Sequence, residues 1–162
     1  MSESILRFCD GLPERQTAVG EVLLEKGTFG NKLYLLAEGA LEVSDDGIQI
    51  AVQDEPGAIF GEMAVLLGVP HTATVTACAP SRVYVVDDAA GFLRDNPQIT
   101  LFVAELLARR LQHVTGYLVD VKRQFADQDG HFGILDEVLS SLLHQQQQEC
   151  SPGSERDPDT KL

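Results

Sequence analysis

Pro56-Gly57-Ala58-Ile59-Phe60-Gly61-Glu62-Met63-Ala64-Val65-Leu66-Leu67-Gly68-Val69-Pro70-His71-Thr72-Ala73-Thr74-Val75 governs how the rest of the chain is read. It is apolar, crowded with small residues, and carries two ionisable side chains, Glu62 and His71. Gly57 and Gly61 permit a tight turn and a close approach to the backbone. A short helical turn is expected from Gly61 to Leu67, and the free N–H groups at its start suit an anion. Gly68, Val69 and Pro70 end that turn, and Thr72–Thr76 alternates threonine with apolar residues like a strand. The picture is a phosphate-sized cradle with a carboxylate inside and an imidazole at its far lip.

Phe60-Gly61-Glu62-Met63-Ala64 followed by Pro70-His71-Thr72-Ala73-Thr74-Val75 resembles the phosphate-binding cassette of cyclic-nucleotide-binding domains of the catabolite-activator type. That cassette runs Phe-Gly-Glu-hydrophobic-Ala, then a short helix, then Pro-Arg-Ser/Thr-Ala-Thr-Val. An upstream block agrees: Gly20-Glu21-Val22-Leu23-Leu24, Gly27, and Leu33-Tyr34-Leu35-Leu36-Ala37-Glu38-Gly39-Ala40-Leu41-Glu42-Val43. The resemblance extends from about Val19 to Phe125. It departs at one informative position, where the family's phosphate-binding arginine is replaced by His71.

The resemblance implies a mostly β fold with helices, an α+β chain built on an eight-stranded, jelly-roll-like β-roll. The expected organisation is a roll with a short N-terminal helix over 1–95, a long helix over 96–126, an amphipathic helix over 131–148 and a disordered tail over 149–162. The implied ligand site comprises Phe60, Gly61, Glu62, Met63, Ala64, His71, Thr72, Ala73 and Thr115, with cAMP or cGMP as the ligand and no other cofactor. Glu62 would meet the sugar 2′-hydroxyl, and Thr115 would present its hydroxyl to the base.

The residues alone support a coarser version. Val22–Leu24, Leu33–Leu36, Leu41–Val43, Ala73–Ala79 and Arg82–Val86 are short apolar runs separated by turn residues, the pattern of a barrel, roll or sandwich. Asp45-Asp46-Gly47 is a hairpin signal, followed by Ile48-Gln49-Ile50-Ala51-Val52 in alternation. Ser2–Gly11 predicts a short helix packed on the domain, and Ala89–Arg94 a brief one. Asn96 and Pro97 are suited to open the long helix as N-cap and first residue. Along it, Ala104, Leu107, Leu111, Val114, Leu118, Val121 and Phe125 recur at alternating three- and four-residue spacing. That is an a/d seam, narrower than the apolar face of a globular helix, which favours pairing with a second copy over packing of the stripe on the chain's own roll. In the family resembled, this helix is the dimer axis.

The 162 residues hold 12 Lys plus Arg against 25 Asp plus Glu, a net charge of −13. Such a chain is repelled by phosphate backbones and anionic bilayers, so direct DNA or membrane binding is not expected. Beyond Ala126 the only Lys or Arg are Arg156 and Lys161, a poor composition for a helix-turn-helix reader. The three cysteines, Cys9, Cys78 and Cys150, have no metal-ligand spacing, and Ser2–Asp10 lacks the pattern of a signal peptide; both fit a reducing cytoplasm.

His71 leaves three outcomes open. Arginine grips two phosphate oxygens in a permanently charged fork, whereas imidazole offers one hydrogen bond and gains charge only when protonated. Weak, pH-sensitive cyclic-nucleotide binding, a changed ligand and a silent pocket all follow from that loss. The leading expectation is a stand-alone sensor, homodimeric and acting on an effector protein of unknown identity. The alternative is a protein-interaction module with a silent or repurposed pocket, including one that holds haem or a metal through His71, Cys78 or His113. No nucleophile or metal constellation accompanies Glu62 and His71, so an enzyme is not expected.

Overall fold

The computed structural model describes residues 5–124 and 133–148, and the side chains of 5–124 and 134–142. The expected tail over 149–162, Cys150, Phe125 and the turn between the last two helices lie outside the described residues. The chain divides into two compact units, residues 1–104 and 105–162.

The first unit contains eight strands: β1 (Glu14–Thr17), β2 (Val22–Leu24), β3 (Leu33–Glu38), β4 (Leu41–Asp45), β5 (Ile48–Gln53), β6 (Ile59–Phe60), β7 (Thr74–Ala77) and β8 (Ser81–Val86). They form two four-stranded sheets, ordered β1-β8-β3-β6 and β2-β7-β4-β5, with every pairing antiparallel. The expected β-roll is therefore present. Leu23, Leu24, Leu41, Val75 and Ala77 from one sheet pack with Tyr34, Leu36, Phe60 and Val83 from the other. A core shared in this way makes each sheet depend on its counterpart, because neither can bury its apolar face alone.

Three local features follow from identifiable residues. Asp46 and Gly47 both have positive φ, 47° and 81°, as a tight hairpin turn between twisted strands requires. The helix α1 (Glu62–Leu67) starts at Gly61 and stops at Gly68, both left-handed. The helix α2 (Ala89–Asp95) is capped by Asp88, whose side chain accepts from the Gly91 N–H at 3.1 Å.

That Gly91 N–H, followed by the Asn31 side-chain amide at 2.9 Å, holds the Asp88 carboxyl below the usual carboxylate range. A carboxylate with a depressed pKa in the folded state stabilises the fold above its unfolded value and loses that contribution as pH falls through the folded one. Asp88→Ala is therefore expected to lower the melting temperature at neutral pH. The difference from wild type should vanish once the carboxyl is protonated, as thermal melts across the acid range would reveal.

The predicted N-terminal helix falls partly on residues 2–4, outside the described residues; Ile5 is helical. A single 3-10 turn, Leu6–Cys9, follows it, with Ile5 and Cys9 buried. Burial, reinforced by Asp10, pushes the Cys9 thiol up to about 11 and keeps it protonated at neutral pH.

The helix α3 (Pro97–Gln124) begins where the sequence places it, but Asn96 acts differently from a side-chain N-cap. Its side-chain amide donates to Phe92 O at 2.8 Å and closes α2, while its main-chain oxygen accepts from Thr100 N at 3.1 Å and opens α3. In the first unit, α3 buries Ile99 and Val103. In the second, the helix α4 (Gly133–Gln148) joins α3 through an ion pair between Lys122 and Asp136. No helix among the described residues is long and apolar enough to cross a membrane.

The strand β5 departs from what its alternation suggests. Leu41, fully buried, lies opposite Gln53, and Val43 opposite Ala51, so Gln53 and Ala51 share the interior face. Ile48, Ile50 and Val52 point outward instead, at 72%, 61% and 46% exposure. The register shifts between Val43 and Ser44, and a one-residue change of register is enough to exchange the faces of a strand.

Candidate functional site

Phe60 ends β6 opposite Tyr34 of β3, which anchors the start of the cassette to the sheet. Gly61 then turns with φ 96°. A methyl group on Gly61 would sit 2.6 Å from the Lys32 carbonyl oxygen, so only glycine lets the chain pass there. Glu62 follows as the first residue of α1, where a carboxylate complements the positive end of a helix. Its side chain is 4% exposed, and no buried side-chain polar atom among the described residues lacks a partner. Ala64 is buried with it, whereas Met63 is exposed.

The second half of the cassette is held by main-chain hydrogen bonds to the loop between β2 and β3. His71 N donates to Thr28 O at 2.9 Å, and Gly27 N donates to His71 O at 2.8 Å. The His71 side chain is 7% exposed and packs against Gly30, where a methyl group would come within 2.9 Å of Nε2. Thr72 is exposed and Ala73 half-buried, so they carry the open side of the segment.

The structure thus brings Phe60, Gly61, Glu62, Met63, Ala64, His71, Thr72 and Ala73 into the first unit, around α1 and the β2–β3 loop. Thr115 lies on α3 in the second unit and is half-buried there. His113 is exposed. His71 precedes β7 and Cys78 follows it, so the strand separates two of the residues named for a repurposed metal or haem pocket. Among the described residues no three His, Cys, Asp or Glu side chains are gathered as a metal group would need.

A groove of about 390 Å³ runs beside α1, lined by Phe29, Gly30, Asn31, Ala64, Val65, Gly68 and Val69. Asn31 had no motif to mark it. Its side-chain oxygen accepts from Ala90 N at 2.9 Å while its amide bonds Asp88, so it ties the loop against α2. A Gly-Asn pair signals a turn in sequence, but its partners lie more than fifty residues away.

Comparison with known proteins agrees with this construction. Residues 14–92 match the family model described as "Cyclic nucleotide-binding domain", and that segment is a member of the family. A cAMP-dependent protein kinase regulatory subunit from Yarrowia lipolytica is 33% identical over 85 residues, 52% of this chain and 22% of that protein. The chain thus spans about a fifth of that relative's length. A solved structure of PKAR CBD2 with Sp-2Cl-cAMPS bound superposes with TM-score 0.52 at 25% identity, covering 65% of this chain and 73% of the other. The Thermus thermophilus catabolite activator protein shares the fold, with TM-score 0.61 at 22% identity over 91% of this chain and 84% of that one.

Proposed function

We propose that this chain is a non-enzymatic regulatory module that binds cAMP or cGMP, or a related small anion, in its β-roll and pairs with a second copy along α3. The observation that carries the reading is the retained cassette in a domain of the cyclic-nucleotide-binding family. Glu62 stands at the start of α1, and Thr72 and Ala73 line the open side. Glu62 takes the ribose hydroxyl, a role supported by the match of its neighbours Phe60, Gly61, Met63 and Ala64 to the cassette. The amides near Thr72 and Ala73 take the phosphate. Titration calorimetry with cAMP and with cGMP tests this directly. Weak saturable heat with either nucleotide is the expected result, and no heat or thermal shift at millimolar nucleotide would refute it.

Pairing is supported by the exposure of the seam. Leu111 and Val114 are 47% and 49% exposed within the chain, and Leu107, Leu118 and Val121 are only partly covered. Burying such side chains is worth about 1.5–3 kcal/mol each. Leu111→Glu combined with Val114→Glu is expected to weaken self-association by at least about a hundredfold while leaving the melting of the roll unchanged. Sedimentation equilibrium reads both states, and a wild-type chain that stays monomeric would remove the seam from the proposal.

One observation favours a second reading, a pairing module with a silent pocket. Both ionisable cassette side chains, Glu62 and His71, are buried. Dimerisation without any nucleotide response is the result that would select it.

A further inference from the structure

We propose that β5 is a docking edge for an extended segment of a partner protein whose side chains are apolar in the middle and basic at the ends, added as a fifth strand beside β4. The inference is independent of whether the roll binds a nucleotide. It starts from the outward face of β5, where Ile48, Ile50 and Val52 form an apolar row on a strand that, among the described residues, has no neighbour on its far side. Half of the N–H and C=O groups of an edge strand point away from its partner, and they offer a template for another strand.

Edge strands are normally protected by proline, by lysine or other charges, or by extreme shortness. The strand Ile48-Gln49-Ile50-Ala51-Val52-Gln53 has none of these. It is six residues long, uncharged, free of proline and glycine, and rich in β-branched side chains. An exposed strand of this composition is an association hazard unless something occupies it.

Charge selects the occupant. Asp45 and Asp46 stand at the hairpin end of the row, Asp54 and Glu55 follow its other end, and Glu42 lies opposite Val52. Lys26 pairs with both Asp45 and Asp46 at this rim. The rim therefore keeps an acidic excess around an apolar centre. A second copy of a chain with net charge −13 would bring a like-charged rim against it. A strand with lysine or arginine flanking two or three apolar residues meets both features, with main-chain bonds for affinity and the rim for orientation.

The test uses the full chain and two blocked seven-residue peptides, one alternating lysine with valine and the other glutamate with valine. Binding is followed by fluorescence anisotropy and by backbone NMR shifts. The lysine peptide is expected to bind at least about tenfold more tightly than the glutamate peptide, with shifts confined to β4 and β5 and affinity falling as salt is raised. Ile50→Lys should lose about tenfold, and Asp54→Asn should lose less while flattening the salt dependence. Both changes lie on exposed positions, and thermal melts verify that the variants fold. Equal binding of the two peptides, or shifts located elsewhere, would overturn the proposal. So would protection of residues 48–53 that disappears on dilution, which would assign the edge to a second copy.

Discussion

His71→Arg is expected to raise the affinity for cAMP or cGMP by roughly ten- to a hundredfold and to abolish its dependence on pH. A guanidinium replaces one imidazole hydrogen bond with a charged fork on two phosphate oxygens, a difference of about 1.5–3 kcal/mol. The sign of the pH effect follows from the charge. Neutral imidazole can donate one hydrogen bond to a phosphate, and a protonated one adds charge to it, so wild-type binding is expected to strengthen as pH falls. Arginine stays charged throughout that range. Titrations of both proteins at about pH 6 and pH 8 separate the cases. Equal, pH-insensitive affinities would mean that the side chain at 71 does not hold the phosphate. The Gly30 contact sharpens the experiment. Imidazole Nε2 already lies close to the loop backbone, so the longer arginine gains only if it leaves Gly30 and reaches the open side near Thr72.

Gly61→Ala is the second change with a large expected effect, a loss of about 2–4 kcal/mol of stability and of any nucleotide response. Two costs add. At φ 96° a Cβ is strained whatever surrounds it, and here it would stand 2.6 Å from the main-chain oxygen of Lys32, which has no flexible end to move aside. Gly47→Ala is the control. Its φ of 81° is also left-handed, but nothing lies within 4 Å, so only the backbone cost of about 1–2 kcal/mol applies. Denaturant melts of the two variants compare these directly. Equal losses would show that the Lys32 contact yields at no cost.

Much of the fold was legible because its signals are local. Asp46-Gly47 requires a left-handed pair and forms one, and the glycines bracketing α1 do likewise. Pro97 opens α3 as its fixed φ dictates. The cassette residues were legible as a motif, and the structure gathers those before β7 around α1 and the β2–β3 loop. The strand β1 escaped notice because Glu14-Arg15-Gln16-Thr17 has no apolar alternation. It is a strand because β8 pairs with it from Glu14 opposite Tyr84 to Thr17 opposite Ser81, far along the chain. The dual use of Asn96, and the Asn31–Asp88 tie, escaped for the same reason: each depends on a neighbour supplied by another element.

By itself the sequence determined the Asp46-Gly47 turn, the glycine ends of α1, the start of α3 at Pro97 and the identity of the cassette, since each rests on backbone preferences or spacings spanning only a few residues. Only the tertiary structure decided which face of β5 meets the core and that His71 lies against Gly30. It alone buried Glu62 beneath its own helix start. Those outcomes depend on register and packing between segments distant in the chain, where a shift of one residue turns an inward side chain out to water.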